Sequence, residues 1–246
     1  MAAPSIGFHR GSSRRLAATV VLGTAHVQPV SLCDFEGLPV DHELPRASAE
    51  LEDNRTLTAA AMFSLMLPAY AERYGVDEER LRYVVAKIAE KNHFNGARNP
   101  LAQFRRETSA EQICEMAPVA GRLSIFDCAG VADGAAAAIV VPAEKAYDYT
   151  DKPLFVKALS FVSGNGAGLM DPSYDYTTFP ECEMAANDAY LQAGVSDPRK
   201  EIALAEVHDC FTPTELVLME DLGFSERGQG WKDVMSGDFA LDGVLP

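Results

Sequence analysis

The clearest periodic pattern in the chain lies near residue 85, where apolar residues recur at helical spacing. Four of them fall at positions i, i+3, i+4 and i+7, and so share one face of a helix: Leu81, Val84, Val85 and Ile88. Asp77 precedes this stripe as a candidate N-cap, and acidic residues follow it in the first turn, where the helix dipole favours them. The pattern predicts a helix that extends to about Asn92.

Other runs rich in Ala, Leu and Met also predict helices, because each is followed by a glycine or a proline, residues that commonly end a helix. These predicted helices cover Thr58–Tyr74, with a break near Pro68, Ser109–Met116, Glu181–Ala193 and Thr212–Leu222.

Shorter apolar runs, several of them rich in β-branched residues, predict strands. They cover Leu16–Ala25, Leu123–Phe126, Ala135–Val141, Leu154–Val162 and Ile202–Val207. In the second half of the chain, strands and helices alternate, which is typical of an α/β fold. The first run has a second interpretation, because Arg14 and Arg15 directly before it resemble the start of a short signal peptide.

Charge and cysteine content narrow the function classes. The chain has 246 residues, with 21 Lys and Arg against 36 Asp and Glu, a net charge of −15. Nucleic-acid binders and proteins attached to anionic lipid need an excess of cations, so this charge argues against both. Five widely spaced cysteines without a CxxC pair argue against a disulfide framework and a zinc site, and indicate a cytoplasmic protein without bound metal. No apolar stretch approaches the roughly 20 residues of a membrane span.

One segment of this acidic chain is basic. Residues 80–106 hold seven Lys and Arg and one acidic residue, a local net charge of +6 that leaves −21 for the remainder. Such a patch suits a small polyanion, for example the phosphates of a nucleotide or of coenzyme A. Four of its cations are candidate phosphate ligands: Lys91, Arg98, Arg105 and Arg106. A solvated helix face is the alternative explanation.

The most informative polar motif is the sequence His208-Asp209-Cys210. It lies between a predicted strand and a predicted helix for which Thr212 and Glu215 form a capping box. Ligands of α/β sheets bind at this edge of the sheet. His208 could there polarise a carbonyl group or move a proton near neutral pH. In the alternative interpretation, His208 and Asp209 only bond to loop backbone and the cysteine fills space.

Several motifs together resemble the thiolases of the sterol carrier protein X type. They are Lys91-Asn92-His93, Asn99-Pro100, Gln103-Phe104, Asp127-Cys128, the run Asp133–Ala138, His208–Phe211, Glu215-Leu216 and Leu222-Gly223. The resemblance extends from about residue 58 to 246. It implies a partial thiolase-like α/β fold, with mixed sheets, helices on both faces and a loop domain. The implied divisions are a divergent segment 1–57, a loop domain with the last strand of the first thiolase half at 58–142, and the second half at 143–246.

The resemblance also implies site residues and a substrate. His208 matches the histidine that lines the family's catalytic cavity near the thioester oxygen. The basic segment falls in or next to the loop domain, which implies a coenzyme A thioester as substrate and no tightly bound cofactor. Ala129 stands where many thiolases have a coenzyme-contacting serine. The surroundings of Cys33 do not match the family's nucleophile, and the family's GHP motif is not found before Pro246.

Three functions fit these observations. The first is a thiolase-type acyl-CoA acyltransferase of lipid or sterol side-chain metabolism, in an incomplete or inactive form if its nucleophile is missing. The second is a thiolase-like retro-aldolase subunit that acts on steroid side-chain coenzyme A esters beside an OB-fold partner. The third is a non-catalytic acyl-CoA or lipid binder. We expect a homodimer or an OB-fold partner subunit.

Overall fold

Helices are the main regular structure in the part of the chain that the computed structural model describes, which comprises residues 58–131, 138–171 and 173–246. The α-helices are α1 (Ala59–Ser64), α2 (Met66–Tyr74), α3 (Glu78–Arg98), α4 (Ala110–Cys114), α5 (Ala167–Met170), α6 (Pro180–Ala193), α7 (Pro198–Glu201), α8 (Thr212–Asp221) and α9 (Gly230–Ser236). Two short antiparallel strands, β1 (Pro118–Ala120) and β2 (Leu123–Ser124), and 3-10 turns at Ile125–Asp127 and Ala143–Asp148 complete the elements.

Helix α3 is the centre of the packing. Its predicted apolar stripe is fully buried, and the helix contacts α2, α4, α8 and α9. The Asp77 side chain caps it by accepting a hydrogen bond from the Arg80 amide at 3.0 Å. The helix continues six residues beyond the predicted end near Asn92. It ends where Asn99 takes an extended conformation, as expected of a residue directly before a proline.

The predicted break near Pro68 occurs three residues earlier. Thr58 caps α1, and the break between α1 and α2 lies at Leu65. Pro68 is the third residue of α2, where a backbone N–H has no acceptor within the helix, so its missing N–H costs no hydrogen bond. Gly75 ends α2 with a positive φ of 63°, as predicted from its position.

Most of the predicted strands that fall on described residues are not strands. Leu154–Val162 and Ile202–Val207 are extended but form no ladder with other described residues, and neither do residues 138–141 of the run Ala135–Val141. The backbone N–H and C=O of Leu159 are instead bonded by the side-chain amide of Gln192, at 3.2 and 3.0 Å. A strand needs a neighbouring strand, and an apolar run does not reveal one. The expected mixed sheets with helices on both faces are therefore absent from the described residues; Leu16–Ala25 lies outside them.

A buried ion pair connects α3 to the 3-10 turn Ile125–Asp127. The guanidinium of Arg82 donates to Asp127 Oδ1 at 3.0 Å and to the carbonyl oxygen of Ile113 at 2.9 Å. Asp127 also accepts hydrogen bonds from the amide and hydroxyl of Ser124, both at 2.7 Å, and from the hydroxyl of Thr212 at 3.1 Å. The charges of both partners are thus satisfied inside the protein, which a buried pair requires.

Replacement of Arg82 by methionine should destabilise the protein strongly. The change leaves the Asp127 carboxylate buried without its cation, which typically costs about 3–5 kcal/mol of unfolding free energy. Urea denaturation would measure the loss. The matched control is Arg122→Met, because Arg122 forms exposed ion pairs with Glu78 and Glu79 that contribute little. Equal losses in the two variants would contradict the structural role of the buried pair.

Candidate functional site

The turn that contains His208 is fixed by backbone pairing to a neighbouring segment. The amide of Ala129 donates to the carbonyl oxygen of Cys210 at 2.9 Å, and an antiparallel bridge joins Cys128 to Phe211. The ring of Phe211 stacks on Phe63, with centroids 4.9 Å apart. These contacts position Cys210 and Phe211 at the start of α8.

His208 lies on the exposed side of this turn. Its side chain is accessible to solvent and makes no hydrogen bond with the residues that the structure describes. Partial burial of the ring lowers its pKa below the ordinary value of 6.5. Neither Glu206 nor Asp209 offsets that effect, so the imidazole is mainly neutral at pH 7 and can donate one N–H.

Asp209 faces the opposite way. Its Oδ2 accepts a hydrogen bond of 2.5 Å from the side-chain amide of Asn92, which also donates to Glu215 Oε2 at 2.8 Å. Lys91 Nζ lies 2.5 Å from Glu215 Oε1. Burial and the nearby Glu215 raise the pKa of Asp209 to about 8, against the opposing effect of Lys91. We call these four residues the Asp209 cluster: Lys91, Asn92, Asp209 and Glu215.

The predicted capping box at Thr212 is wrong. The N-cap is Phe211, and Thr212 is the first residue of α8. The Thr212 hydroxyl donates to Asp127, and the Glu215 carboxylate binds Lys91 and Asn92 instead of the helix N-terminus. A charged or buried partner gives a stronger hydrogen bond than a backbone amide, which explains the change of role.

The four candidate phosphate ligands differ in their surroundings. Lys91 is engaged by Glu215, and Arg98 pairs with Glu107 at 2.7 Å. Arg105 and Arg106 are exposed and form no ion pair with any described residue. The proposed role of all four in binding a coenzyme stays a prediction, but only the latter two keep their charge free for a ligand in this part of the structure.

The described cysteines are not activated nucleophiles. Burial raises the pKa of Cys128 to about 11 and that of Cys182 to about 12. Burial also raises the pKa of Cys114 and of Cys210. A thiol must lose its proton to attack a thioester, so these four are unreactive at neutral pH. Cys33 lies outside the described residues.

A cavity of about 530 Å³ lies on another side of α3. Its apolar lining includes Ile88, Phe94, Met219, Val234, Phe239 and Leu241. Lys91 also lines the cavity, so this residue connects the cavity wall to the Asp209 cluster. His208 does not line the cavity. Sequence reasoning missed the cavity and the cluster, because both join residues more than 100 positions apart.

Two negative findings concern the described residues only. None of their helices combines the length and apolar character that crossing a bilayer requires. Within the same ranges, no three His, Cys, Asp or Glu side chains converge as a metal site would need.

Comparisons with known proteins relate this arrangement to the thiolases. Acetyl-CoA acetyltransferase of Methanothermobacter thermautotrophicus is 35% identical over 197 residues, which are 80% of this chain and 49% of that protein. Sterol carrier protein 2 of Oryctolagus cuniculus is 31% identical over 188 residues, 75% of this chain and 33% of that protein. The chain therefore spans at most about half the length of these relatives.

The fold of the chain is also similar to that of a solved structure. The solved structure titled Ltp2-ChsH2(DUF35) aldolase superposes with a TM-score of 0.67 at 24% identity, over 87% of this chain and 55% of that one. Residues 169–246 match the family model described as thiolase C-terminal domain-like. The resemblance that the sequence motifs carried is thus confirmed: the chain is a relative of the thiolases and contains a thiolase C-terminal-like domain.

Proposed function

We propose that the chain acts on coenzyme A thioesters as a thiolase-type acyltransferase, with His208 as a catalytic residue. The observation that carries the proposal is the turn before α8, which presents the His208 imidazole to solvent while its neighbour Asp209 is bonded inside. The 35% identity to an acetyl-CoA acetyltransferase supports the choice of substrate class.

The proposed role of His208 is electrostatic. When a nucleophile attacks a thioester, or when an enolate forms from it, negative charge develops on the carbonyl oxygen. A positioned N–H donor stabilises that charge more in the transition state than in the substrate, and so increases the rate. The lowered pKa of His208 favours the neutral imidazole as this donor near pH 7.

A retro-aldolase reaction is the second candidate. The pKa values of all four described cysteines are raised, so none of them supplies the thiolate that acyl transfer needs. Cleavage of a carbon–carbon bond in a steroid side-chain coenzyme A ester would not require a thiolate. The structural neighbour is named an aldolase, which supports this alternative. The OB-fold partner subunit is the one that the resemblance implies. Binding of an acyl-CoA or a lipid without catalysis is the remaining function.

An exposed apolar segment supports association with another subunit. Between residues 154 and 161, the side chains of Leu154, Val156, Leu159 and Phe161 are all at least half exposed. Contiguous apolar surface of this kind favours a protein contact. We propose a homodimer or a complex with an OB-fold subunit through this segment.

The variant His208→Ala tests the catalytic role. We expect its thiolysis of acetoacetyl-CoA to fall by about 10²–10³-fold, which is typical of losing one oxyanion donor. Its melting temperature should stay close to the wild-type value, because His208 is exposed and has no hydrogen bond to a described residue. Wild-type turnover together with a lower melting temperature would show that His208 is structural. If the wild-type chain binds the thioester but lacks this activity, the assay with a steroid side-chain ester decides between the other two functions.

The double variant Arg105→Gln/Arg106→Gln tests the phosphate contacts. At low salt, calorimetry should show that the double variant binds coenzyme A more weakly than the wild type does. On raising the salt to about 150 mM, the variant should lose less affinity than the wild type, because salt screens exposed charges. Arg122→Gln serves as control, since Arg122 is paired with Glu78 and Glu79. Equal affinities of the double variant and the control for coenzyme A would contradict the proposal.

The double variant Leu159→Lys/Phe161→Lys tests the association surface. Light scattering after size-exclusion chromatography should show a dimer or a larger species for the wild type, and a shift towards monomer for the variant, because charge opposes burial of the segment. A monomeric wild type at high concentration would rule out the homodimer. Addition of an OB-fold subunit would then test the other partner.

A further inference from the structure

Adjacent residues of the turn before α8 face opposite sides. His208 is exposed, whereas Oδ1 of the next residue, Asp209, is fully buried. Side chains alternate in this way along an extended segment, so the direction of one fixes the direction of the other. The contacts that hold the Asp209 carboxyl inside the protein therefore also set the direction of the His208 ring.

The Asn92 side chain on α3 bonds the Asp209 carboxyl directly, and Lys91 and Glu215 belong to the same network. The amide of Asn92 donates one hydrogen to Asp209 and the other to Glu215, at 2.5 and 2.8 Å, so a single group bridges two carboxyls. Lys91 pairs with Glu215, whose side chain is only 3% exposed. Each contact joins positions more than 100 residues apart, which makes the cluster a connection between α3 and the start of α8.

The charges in the Asp209 cluster balance only if one carboxyl is neutral. Lys91 brings one positive charge, which Glu215 compensates. A second buried negative charge beside Glu215 would be unfavourable, and Asp127 lies near enough to add to the repulsion. The raised pKa of Asp209, about 8, agrees with a protonated Asp209 at pH 7.

We propose that Asn92 and the Lys91–Glu215 ion pair are positioning residues that hold a neutral Asp209 carboxyl inside the protein and thereby direct His208 towards the substrate. This inference rests on the proposed function only in assuming that His208 faces a substrate. The hydrogen bonds and charges of the Asp209 cluster do not depend on that function. Lys91, in this assignment, acts inside the protein and not on a coenzyme phosphate.

Two substitutions of Asp209 give the main test. Asparagine has the shape of a neutral carboxyl and can still accept the hydrogen bond from Asn92, whereas alanine cannot. We expect Asp209→Asn to keep the wild-type NMR titration of the His208 ring and turnover within about threefold, while Asp209→Ala shifts that titration towards the ordinary pKa near 6.5. Turnover of the alanine variant should fall by about 10²-fold, the effect of a small displacement of a catalytic group.

The effects of Lys91 and Glu215 on the protonation of Asp209 can be measured separately. Carbon-13 NMR of labelled Asp should show Asp209 titrating near pH 8. Lys91→Met should raise its pKa, because a cation is lost, and Glu215→Gln should lower it, because an anion is lost. Lys200→Met is the matched control: Lys200 forms an exposed pair with Asp197 and should leave both titrations unchanged.

Two results would overturn the proposal. One is an Asp209 that titrates near 4, and the other is an Asp209→Ala variant that folds and keeps the wild-type titration of His208. Neither NMR experiment requires turnover. A chain with the expected titrations but no activity would therefore refute the proposed function and leave the positioning role intact.

The same cluster predicts a pH dependence of stability. The folded state binds the Asp209 proton more tightly than the unfolded chain, in which the pKa is near 3.9. Its contribution to stability is therefore full below about pH 4 and is lost as the pH rises towards about 8. Thermal unfolding between pH 5 and 9 should show the wild type losing stability relative to Asp209→Asn as the pH rises. A constant difference between the two proteins would contradict a raised pKa.

Discussion

The Asp127 carboxylate is the group on which the arrangement of the site depends. It compensates the charge of Arg82 on α3, bonds Ser124 at the end of β2, and accepts the hydroxyl of Thr212 at the first position of α8. A carboxylate without exposure to water must keep all of these partners, because removing one leaves a charge that solvent cannot reach. Asp127 thus links the start of α8 to α3, and the turn that contains His208 lies directly before this link.

The Asp209 cluster also contains a cation of α3 that pairs with a buried carboxylate. Lys91 follows Arg82 on α3 by nine residues, and each cation compensates a carboxylate that belongs to another segment. The basic segment 80–106 is thus divided by function. Arg82 and Lys91 pair with carboxylates of other segments and so stabilise the packing of α3. Arg105 and Arg106 remain at the surface, where a phosphate could reach them.

Much of the helical structure could be predicted from the sequence, and little of the sheet. The stripe from Leu81 to Ile88 predicted α3 because burial of one helix face leaves a local signature. Gly75 and Gly194 predicted helix ends for the same reason, since a positive φ is a local requirement. The apolar run Leu154–Val162 predicted a strand that the described residues do not form. A strand requires a partner elsewhere in the chain, which its own residues do not reveal.

The candidate site shows the same division between local and distant information. The motif His208–Phe211 was visible in the sequence because several polar residues stand together before a helix. The capping box at Thr212 failed because the pattern alone could not show that Asp127 and Lys91 offer stronger partners. The role of Asn92 was equally hidden, since its two acceptors lie more than 100 residues away.

The contrast between the histidine and the thiols limits the chemistry of the described residues. Burial acts on both, but with different consequences. It favours the neutral His208 imidazole, which keeps one N–H to donate, and it favours the protonated thiols of Cys128, Cys182 and Cys210, which are unreactive. None of these three thiols is therefore in the ionised state that a covalent acyl intermediate requires. A reaction through such an intermediate would take its nucleophile from outside these residues, whereas the donor role that we propose for His208 needs no thiolate.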